Sequence, residues 1–474
     1  MKKVWIKTYG CQMNERDSEA VAAMLSARGY AVARSERDAD VILLNTCSVR
    51  DVAEQKAIGK MSELADLKRH RPELILGYLG CMAQSRGATL TDRQPAVDLV
   101  VGTQKFHKVP EYLDRLLAAG EVNCGSAVPG ATGNSCPEGH SHKSIVDTGE
   151  EPGSESTIRD HVLGTNGNRQ VTAFVSIMQG CEMYCTFCIV PYTRGAERSR
   201  PITEVVDEVR WLIDQGVREI TLLGQIVTSY GRKDIRKKDG KSAFVQLLDA
   251  VNEVDGLERI RFTAPHPKGF GDDLVQAYRV LPKLCEHAHL PIQSGSNRIL
   301  KEMNRGYTRE WFLRIVDELR RAQPKMAIST DIIVGFPGET EEDFEQTASL
   351  MREVEFDQAF IFKYSPRQDT PAADMPEQLD DEVKEQRNQI LLQILNERML
   401  RKNQALAGQL VEVLVEGRSE KGGRRMMGRT RTNRIVFFDG SERHKGELLP
   451  VRVERATTVA LYGDPAIHGT GEVE

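Results

Sequence analysis

Gly180-Cys181-Glu182-Met183-Tyr184-Cys185-Thr186-Phe187-Cys188 follows directly on an apolar, strand-like run at 171–178. Its cysteines stand at i, i+4 and i+7, and Gly180 and Pro191 bracket the segment as a loop. Thiolates bind iron-sulfur clusters, and three in a short loop can hold three corners of one cubane while the fourth iron stays open. The alternatives are a helix face that carries cysteines at this spacing, or a zinc site short of its fourth ligand. No isolated His or Cys follows at zinc-finger spacing.

Downstream, apolar runs at 219–223, 259–263, 287–292, 329–334 and 359–364 alternate with helical stretches near 205–214, 244–254, 310–321 and 342–353. With the run at 171–178 they make six β/α units. Six are too few for a closed eight-stranded barrel and predict a partial (β/α)6 barrel, with its site at the carboxyl ends of the strands. The cysteine loop belongs there, as do Gly224-Gln225, Pro291-Ile292-Gln293-Ser294-Gly295 and Gly335-Phe336-Pro337-Gly338. Turn formation alone would also account for these glycines and prolines.

Upstream, strand-like runs at 4–9, 41–45, 74–79 and 97–101 are separated by amphipathic stretches at 17–27 and 52–67. That alternation predicts a small parallel α/β sheet, whose crossovers bring all strand ends to one edge. Cys11, Cys47 and Cys81 each follow a run within two residues, so three thiolates can converge on a second cluster. Buried free cysteines are common. Structural cysteines, however, have no reason to share an edge. Their small neighbours are expected to let a bulky ligand approach the backbone.

The 474 residues, 40% hydrophobic and 28% charged, are enough for several domains. No apolar run approaches the ~20 residues that span a bilayer, and Lys7, Tyr9 and Cys11 interrupt the amino terminus before a signal core develops. The chain is expected to remain in the cytoplasm, without a membrane partner. Nine cysteines, an odd number, then argue for metal or redox chemistry before disulfides. A net charge of -5 gives no global attraction to nucleic acid, so any RNA contact needs a local basic patch. The expected domains are an α/β sheet domain at 1–120, a flexible linker or insertion at 121–168, the partial barrel at 169–402 and a small β-barrel at 403–467. The stretch 122–170 is rich in Gly, Ser, Glu and Asn; its Cys124, Cys136, His140 and His142 are a metal site or an accidental grouping. After a helix at 381–401, alternating runs at 410–415, 434–438 and 448–453 predict the β-barrel. Lys421, Arg424, Arg425, Arg429, Arg431 and Arg434 crowd one stretch of it, as an RNA contact or a solvated charged hairpin.

The spacing of Cys181, Cys185 and Cys188, with Phe187 before the last, resembles the radical S-adenosylmethionine superfamily. Thr8-Tyr9-Gly10-Cys11-Gln12-Met13-Asn14, Asn45-Thr46-Cys47, residues 180–195 and His289-Leu290-Pro291-Ile292-Gln293-Ser294-Gly295-Ser296 resemble its methylthiotransferases, over nearly the entire chain. The carboxyl-terminal barrel resembles the TRAM domain of RNA-modifying enzymes. The resemblance implies two 4Fe-4S clusters and S-adenosylmethionine. The open iron on Cys181, Cys185 and Cys188 would chelate S-adenosylmethionine, and one electron would cleave it to methionine and a 5'-deoxyadenosyl radical that takes hydrogen from C2 of an adenine. The auxiliary cluster on Cys11, Cys47 and Cys81 would hold the sulfur, which a second S-adenosylmethionine methylates before transfer. In the family, the regions of Phe187, Gly224, Gln225, Gln293 and Gly335 line the cofactor pocket. The segment from Gln293 through Asn304-Arg305-Gly306-Tyr307 resembles the methylthiotransferases of transfer RNA most, and that resemblance implies N6-isopentenyladenosine beside the anticodon, position 37, as the substrate. Threonylcarbamoyladenosine, a ribosomal-protein aspartate, or a non-enzymatic iron-sulfur RNA-binding sensor are the other readings. Implied partners are the anticodon stem-loop, an electron donor such as flavodoxin or ferredoxin, and a sulfur or cluster donor.

Overall fold

The computed structural model describes residues 1–48, 51–124, 144–162, 170–419 and 425–465, without the side chains of 51, 52 and 120–124. They form two compact units: Met1–Val162 with Gln179–Glu182 and Ile189–Arg198, and Leu163–Met178 with Met183–Cys188 and Ser199–Glu474.

In the first unit, strands β1 (Lys3–Tyr9), β2 (Ala31–Val32), β3 (Val41–Thr46), β4 (Ile75–Gly80), β5 (Leu99–Val101) and β6 (Ile145–Asp147) form a sheet of order β2-β1-β3-β4-β5-β6. All pairings are parallel. Every residue of β3 and β4 is buried, as a parallel sheet covered on both faces requires. Alternation divides their side chains: Val41, Leu43, Ile75 and Leu79 join one apolar cluster, Ile42, Leu44, Leu76 and Tyr78 the other. Helix α1 (Gln12–Ala27) supplies Ala20, Val21 and Leu25 to the first cluster; α2 (Asp51–His70) supplies Ala57, Met61 and Leu64 to the second.

Two features depart from the sequence reading. The segment expected to be a flexible linker at 121–168 contains β6, which hydrogen-bonds to β5, and Ile158, which is buried against the sheet. Glu151 pairs with Lys105 at 2.6 Å and with Lys108 at 2.9 Å. A three-residue strand at a sheet edge is too short to leave a periodic signature, which is why composition alone suggested a linker. The two-residue β2 escaped for the same reason. Cys136, His140 and His142 lie outside the described residues, and Cys124 closes the helix Val109–Cys124.

The second unit contains β7 (Thr172–Ser176), β10 (Glu219–Leu223), β11 (Arg259–Phe262), β12 (His287–His289), β13 (Ala327–Val334) and β14 (Gln358–Lys363), and the division between the units falls within the two-residue strands β8 (Met178–Gln179) and β9 (Arg198–Ser199). The major strands form two parallel groups, β11-β10-β7 and β12-β13-β14. A parallel bridge between Ile260 and Leu284 joins them into the expected six-stranded partial barrel. Ala173, Val175, Ile220, Leu222, Ile260, Ala288, Ile328 and Ile332 point to the helix side and share one core. The alternate positions place Phe174, Thr221 and Arg261 in one row, and Asp331 beside Phe360. The inner face is therefore polar and aromatic.

The same unit ends in a closed barrel, β15 (Leu410–Arg418), β16 (Met426–Thr430), β17 (Ile435–Phe438), β18 (Leu448–Ala456) and β19 (Ala460–Pro465), in the order β15-β16-β17-β19-β18. Two inner-face arginines dock it. Arg259 Nη1 donates to Arg429 O at 2.7 Å; Arg261 donates from Nη2 to Thr430 O at 2.7 Å and from Nη1 to Arg431 O at 2.9 Å. Arg261 Nε also donates to Glu219 Oε1 at 2.9 Å. Replacing Arg261 by Ala removes these hydrogen bonds and leaves Glu219 buried with a more distant partner. We expect destabilisation by about 3–5 kcal/mol, read as earlier urea-induced protease sensitivity of the carboxyl-terminal barrel; parental sensitivity would show that the docking is held elsewhere.

Candidate functional site

The register of the first sheet sets Tyr9 beside Thr46 and Thr46 beside Gly80. Parallel strands ending in one row deliver Cys11, Cys47 and Cys81 to one edge, and the strand order reverses there between β1 and β3. Such a switch point is where open α/β sheets leave a crevice for ligands. Two asparagines lock the edge. Asn14 Nδ2 donates to Asn45 Oδ1 at 3.1 Å, and Asn45 Nδ2 returns to Asn14 O at 2.8 Å and reaches Ser18 Oγ at 2.9 Å. A Cβ on Gly10 would lie 2.5 Å from Asn14 Oδ1, and one on Gly80, whose φ is +92°, 2.7 Å from Thr46 O. Gly10 and Gly80, small neighbours of Cys11 and Cys81, thus make room for this asparagine lock.

Cys11 caps α1, so its sulfur stands at a helix amino terminus, where the dipole favours thiolate. A hydrogen bond from Cys47 outweighs burial and, together with the charge of Arg194, holds the Cys11 thiol below its ordinary range. Burial pushes Cys81 up, opposed by the same arginine. Arg194 ends the short helix Val190–Arg194, just beyond the cysteine loop, and its Nη2 lies 2.6 Å from Asp17 Oδ2. Sequence reasoning missed Arg194 and Asp17, since a charge gives no signal of burial. Among the described residues no three His, Cys, Asp or Glu side chains close on a single ion. The thiolates of a cubane each bind a different iron, and the donor set here, three sulfurs with a buried cation beside them, fits such an anionic group.

The Cys181–Cys188 loop is divided between the units, Cys181 with the first, Cys185 and Cys188 with the second. In the second, Cys188 N–H donates to Cys185 O at 2.9 Å, and Asn304 Nδ2 donates to Met183 O and Tyr184 O at 3.3 and 3.1 Å. Arg305 is buried. It donates from Nη1 to Cys185 Sγ at 3.3 Å, from Nη2 to Pro291 O at 3.0 Å and from Nε to the Tyr307 hydroxyl at 3.0 Å. In the sequence only the Asn304-Arg305-Gly306-Tyr307 motif hinted at it. Gly224 and Gln225 follow β10, Gly335 follows β13 and donates its N–H to Glu339 Oε2 at 2.7 Å, and Gln293 exchanges backbone bonds with Asp331 and Ile333 at a φ of +74°. A left-handed glutamine is a strained position that the surroundings must over-determine, as at many functional sites. Phe187 packs with Ile299, Met303, Phe336 and Tyr364. Cys285 is buried, as a packing residue would be.

The basic stretch needs correction. Arg431 Nε pairs with Glu286 at 2.7 Å and its Nη2 donates to Leu284 O at 2.8 Å; Arg434 Nη2 pairs with Asp357 at 2.7 Å. Both dock the barrel inside the second unit, so clustering in sequence overstated the cations left for RNA. Arg429 pairs with Glu416 at 3.2 Å, and Lys421 and Arg424 lie outside the described residues. Arg425 is about half exposed and lies 5.8 Å from the Tyr462 ring, over which Arg455 sits at 3.9 Å, with Phe437 5.5 Å away. Arg455, Tyr462 and Phe437 were not singled out from the sequence, because they come together only across β17, β18 and β19.

Family models match three parts of the chain: Uncharacterized protein family UPF0004 over residues 3–102, the Radical SAM superfamily over 175–351 and the TRAM domain over 404–466. The tRNA-2-methylthio-N(6)-dimethylallyladenosine synthase of Opitutus terrae is 54% identical over 99% of this chain and 99% of its own. The chain belongs to the family of these synthases. Members from Akkermansia muciniphila, 53% identical over 98% of this chain and 99% of theirs, and Moorella thermoacetica, 46% over 97% of each, match similarly. Among solved structures, the radical S-adenosylmethionine methyltransferase TsrM of Kitasatospora setae aligns with a TM-score of 0.54 at 14% identity, over 79% of this chain and 75% of that one, a likeness of fold. No described helix of this synthase-family chain is long and apolar enough to cross a membrane.

His266, in the loop after β11, gives a pH signature. Burial, then the charges of Arg305 and Lys268, lower its pKa to about 3. The unfolded chain binds a proton near pH 6.5 that the folded chain refuses, so stability is lost as pH falls from about 6.5 towards 3. His266→Gln should flatten that loss by up to about 1.4 kcal/mol per pH unit, measured by urea unfolding; an unchanged profile would mean that other groups set it.

Proposed function

We propose that this chain places a methylthio group on C2 of N6-isopentenyladenosine at position 37 of transfer RNA, using S-adenosylmethionine and two 4Fe-4S clusters. The observation that carries the reading is the pair of cysteine triplets, each following the carboxyl ends of parallel strands and each with a buried arginine at a thiol. Cys181, Cys185 and Cys188 would hold the radical cluster; Cys11, Cys47 and Cys81 the auxiliary one. The bound groups supply reductive cleavage of S-adenosylmethionine and the sulfur to be transferred. The protein supplies placement. Arg305 fixes the Cys185 ligand against Pro291 and Tyr307. Gly224, Gln225, Gln293 and Gly335, which follow strands of the partial barrel, would offer the cofactor's polar groups backbone and amide partners. On the inner face, His289 Nε2 lies 3.3 Å from Asp331 Oδ2 and its ring meets Phe360 edge-on at 6.3 Å. Phe360 is about half exposed and would give a splayed base a stacking surface, with His289 and Asp331 as polar partners beside it. The anticodon stem-loop is the RNA partner; the electron comes from a flavodoxin or ferredoxin, and a sulfur or cluster donor renews the auxiliary site. The setting is the cytoplasm.

Nucleoside mass spectrometry of transfer RNA from cells with and without this protein tests the reading. Its loss should abolish the 2-methylthio nucleoside and leave N6-isopentenyladenosine; an unchanged nucleoside pattern would overturn it. Anaerobically reconstituted protein should contain two 4Fe-4S clusters, and joint replacement of Cys181, Cys185 and Cys188 by Ala should remove one. Iron and sulfide analysis decides, and a single cluster in the parent would refute the two-cluster scheme.

The exposed face of the carboxyl-terminal barrel, with Arg425, Arg455, Tyr462 and Phe437, is the RNA-holding surface, since Arg binds phosphates and the rings stack bases. Replacing Arg425 and Arg455 by Ala should weaken transfer RNA binding and flatten its salt dependence by about one unit of slope for each phosphate no longer neutralised. Cluster content should stay at the parental level. Equal affinity across a salt series would move the RNA to another face.

A further inference from the structure

Arg194 and Asp17 are buried to 2% and 0% exposure, and one guanidinium nitrogen meets one carboxylate oxygen. The other two atoms are spare. Arg194 Nη1 and Asp17 Oδ1 are fully buried and have no hydrogen-bond partner among the described residues. A buried guanidinium N–H left unpaired costs on the order of 1–3 kcal/mol or more, so it calls for an acceptor, and beside three thiols an anionic ligand is the one that also answers the charge. The helix Val190–Arg194 packs against the helix Cys81–Arg86, whose first residue is one of the three thiols. The helix that carries it is tied to the same unit by Thr103 Oγ1, which donates to Thr193 O at 2.7 Å.

Resting on the proposed function, we propose that Arg194, oriented by Asp17, is the positioning residue that donates from Nη1 to the anionic sulfur borne by the auxiliary cluster. Three thiolates with a sulfide-rich cubane carry net negative charge, and burying it requires paired charge and hydrogen bonds. A cation fixed at that place favours the more anionic, reduced cluster, and orients the sulfur that leaves with its methyl group. Asp17 keeps the fork from turning. A lysine in the same place would keep the charge and lose the fixed fork.

The test uses the full chain with Cys181, Cys185 and Cys188 replaced by Ala, so that the auxiliary cluster is read alone. Arg194→Gln should retain iron and sulfide but shift the midpoint potential to more negative values, with altered electron-paramagnetic g values. Arg194→Lys should recover most of the potential. In the chain with both clusters, Arg194→Gln should lower methylthiolated product by about tenfold or more, the worth of one hydrogen bond to a charged group, while cleavage of S-adenosylmethionine continues. Loss of the cluster from Arg194→Gln with retention in Arg194→Lys would also support the charge role. A cluster of parental potential in Arg194→Gln overturns it. Loss of the cluster from both variants also overturns it, making Arg194 a packing residue. The parent, assayed in parallel, separates this outcome from failure of the proposed function, since an inactive parent, not an altered variant, is what would refute that reading.

Discussion

Two amide side chains hold the edge on which the first unit depends. Asn14 and Asn45 trade hydrogen bonds between the first turn of α1 and the end of β3, in a buried place where an unpaired amide would be costly. Their exchange fixes the crossover from β1 into α1, and so the direction in which Cys11 leaves the sheet. It also explains two glycines, because the space that a Cβ at 10 or 80 would take is already filled by the lock. Sheet register decides which cysteines can meet, and the asparagines decide at what angle.

Both cysteine sets are served by an arginine taken wholly out of water, a choice that needs compensation on every nitrogen. Arg305 finds it in a carbonyl, a hydroxyl and a thiol. Arg194 finds only part of it, in Asp17. The contrast is chemical: one guanidinium is satisfied by the protein, the other retains a donor. Arginine suits the task because its charge persists after burial and its planar fork holds a direction that a lysine would not.

Periodicity was the reliable guide to the scaffold. Runs of two alternating faces at 41–45 and 74–79 became β3 and β4, and all six central strands lie where apolar runs anticipated them. Most of the failures are short elements, although the helix Val109–Cys124 and the barrel strands β16 and β19 were also passed over. Strands of two and three residues, β2 and β6, carry too few positions for a pattern, and β6 gains its place from hydrogen bonds to β5 rather than from its own sequence. The helices Asp272–Val280 and Asn297–Glu302 were passed over for similar brevity. At the site, cysteine spacing was legible because thiols have few other uses at such intervals. Arginine was not legible, since Arg431 facing Glu286 and Arg455 over Tyr462 read alike until tertiary structure separates docking from display.

The docking of the carboxyl-terminal barrel has a consequence for how such a module can change. Arg259 and Arg261 grip the carbonyl oxygens of Arg429, Thr430 and Arg431, groups that every amino acid possesses. This part of the joint is indifferent to the side chains that share its residues, while Arg431 on Glu286 and Arg434 on Asp357 complete it with side chains of their own. Arg425, Arg455 and Tyr462 take no part in either set of contacts, so the outward face of the barrel can be retuned towards a different RNA outline without loosening the joint.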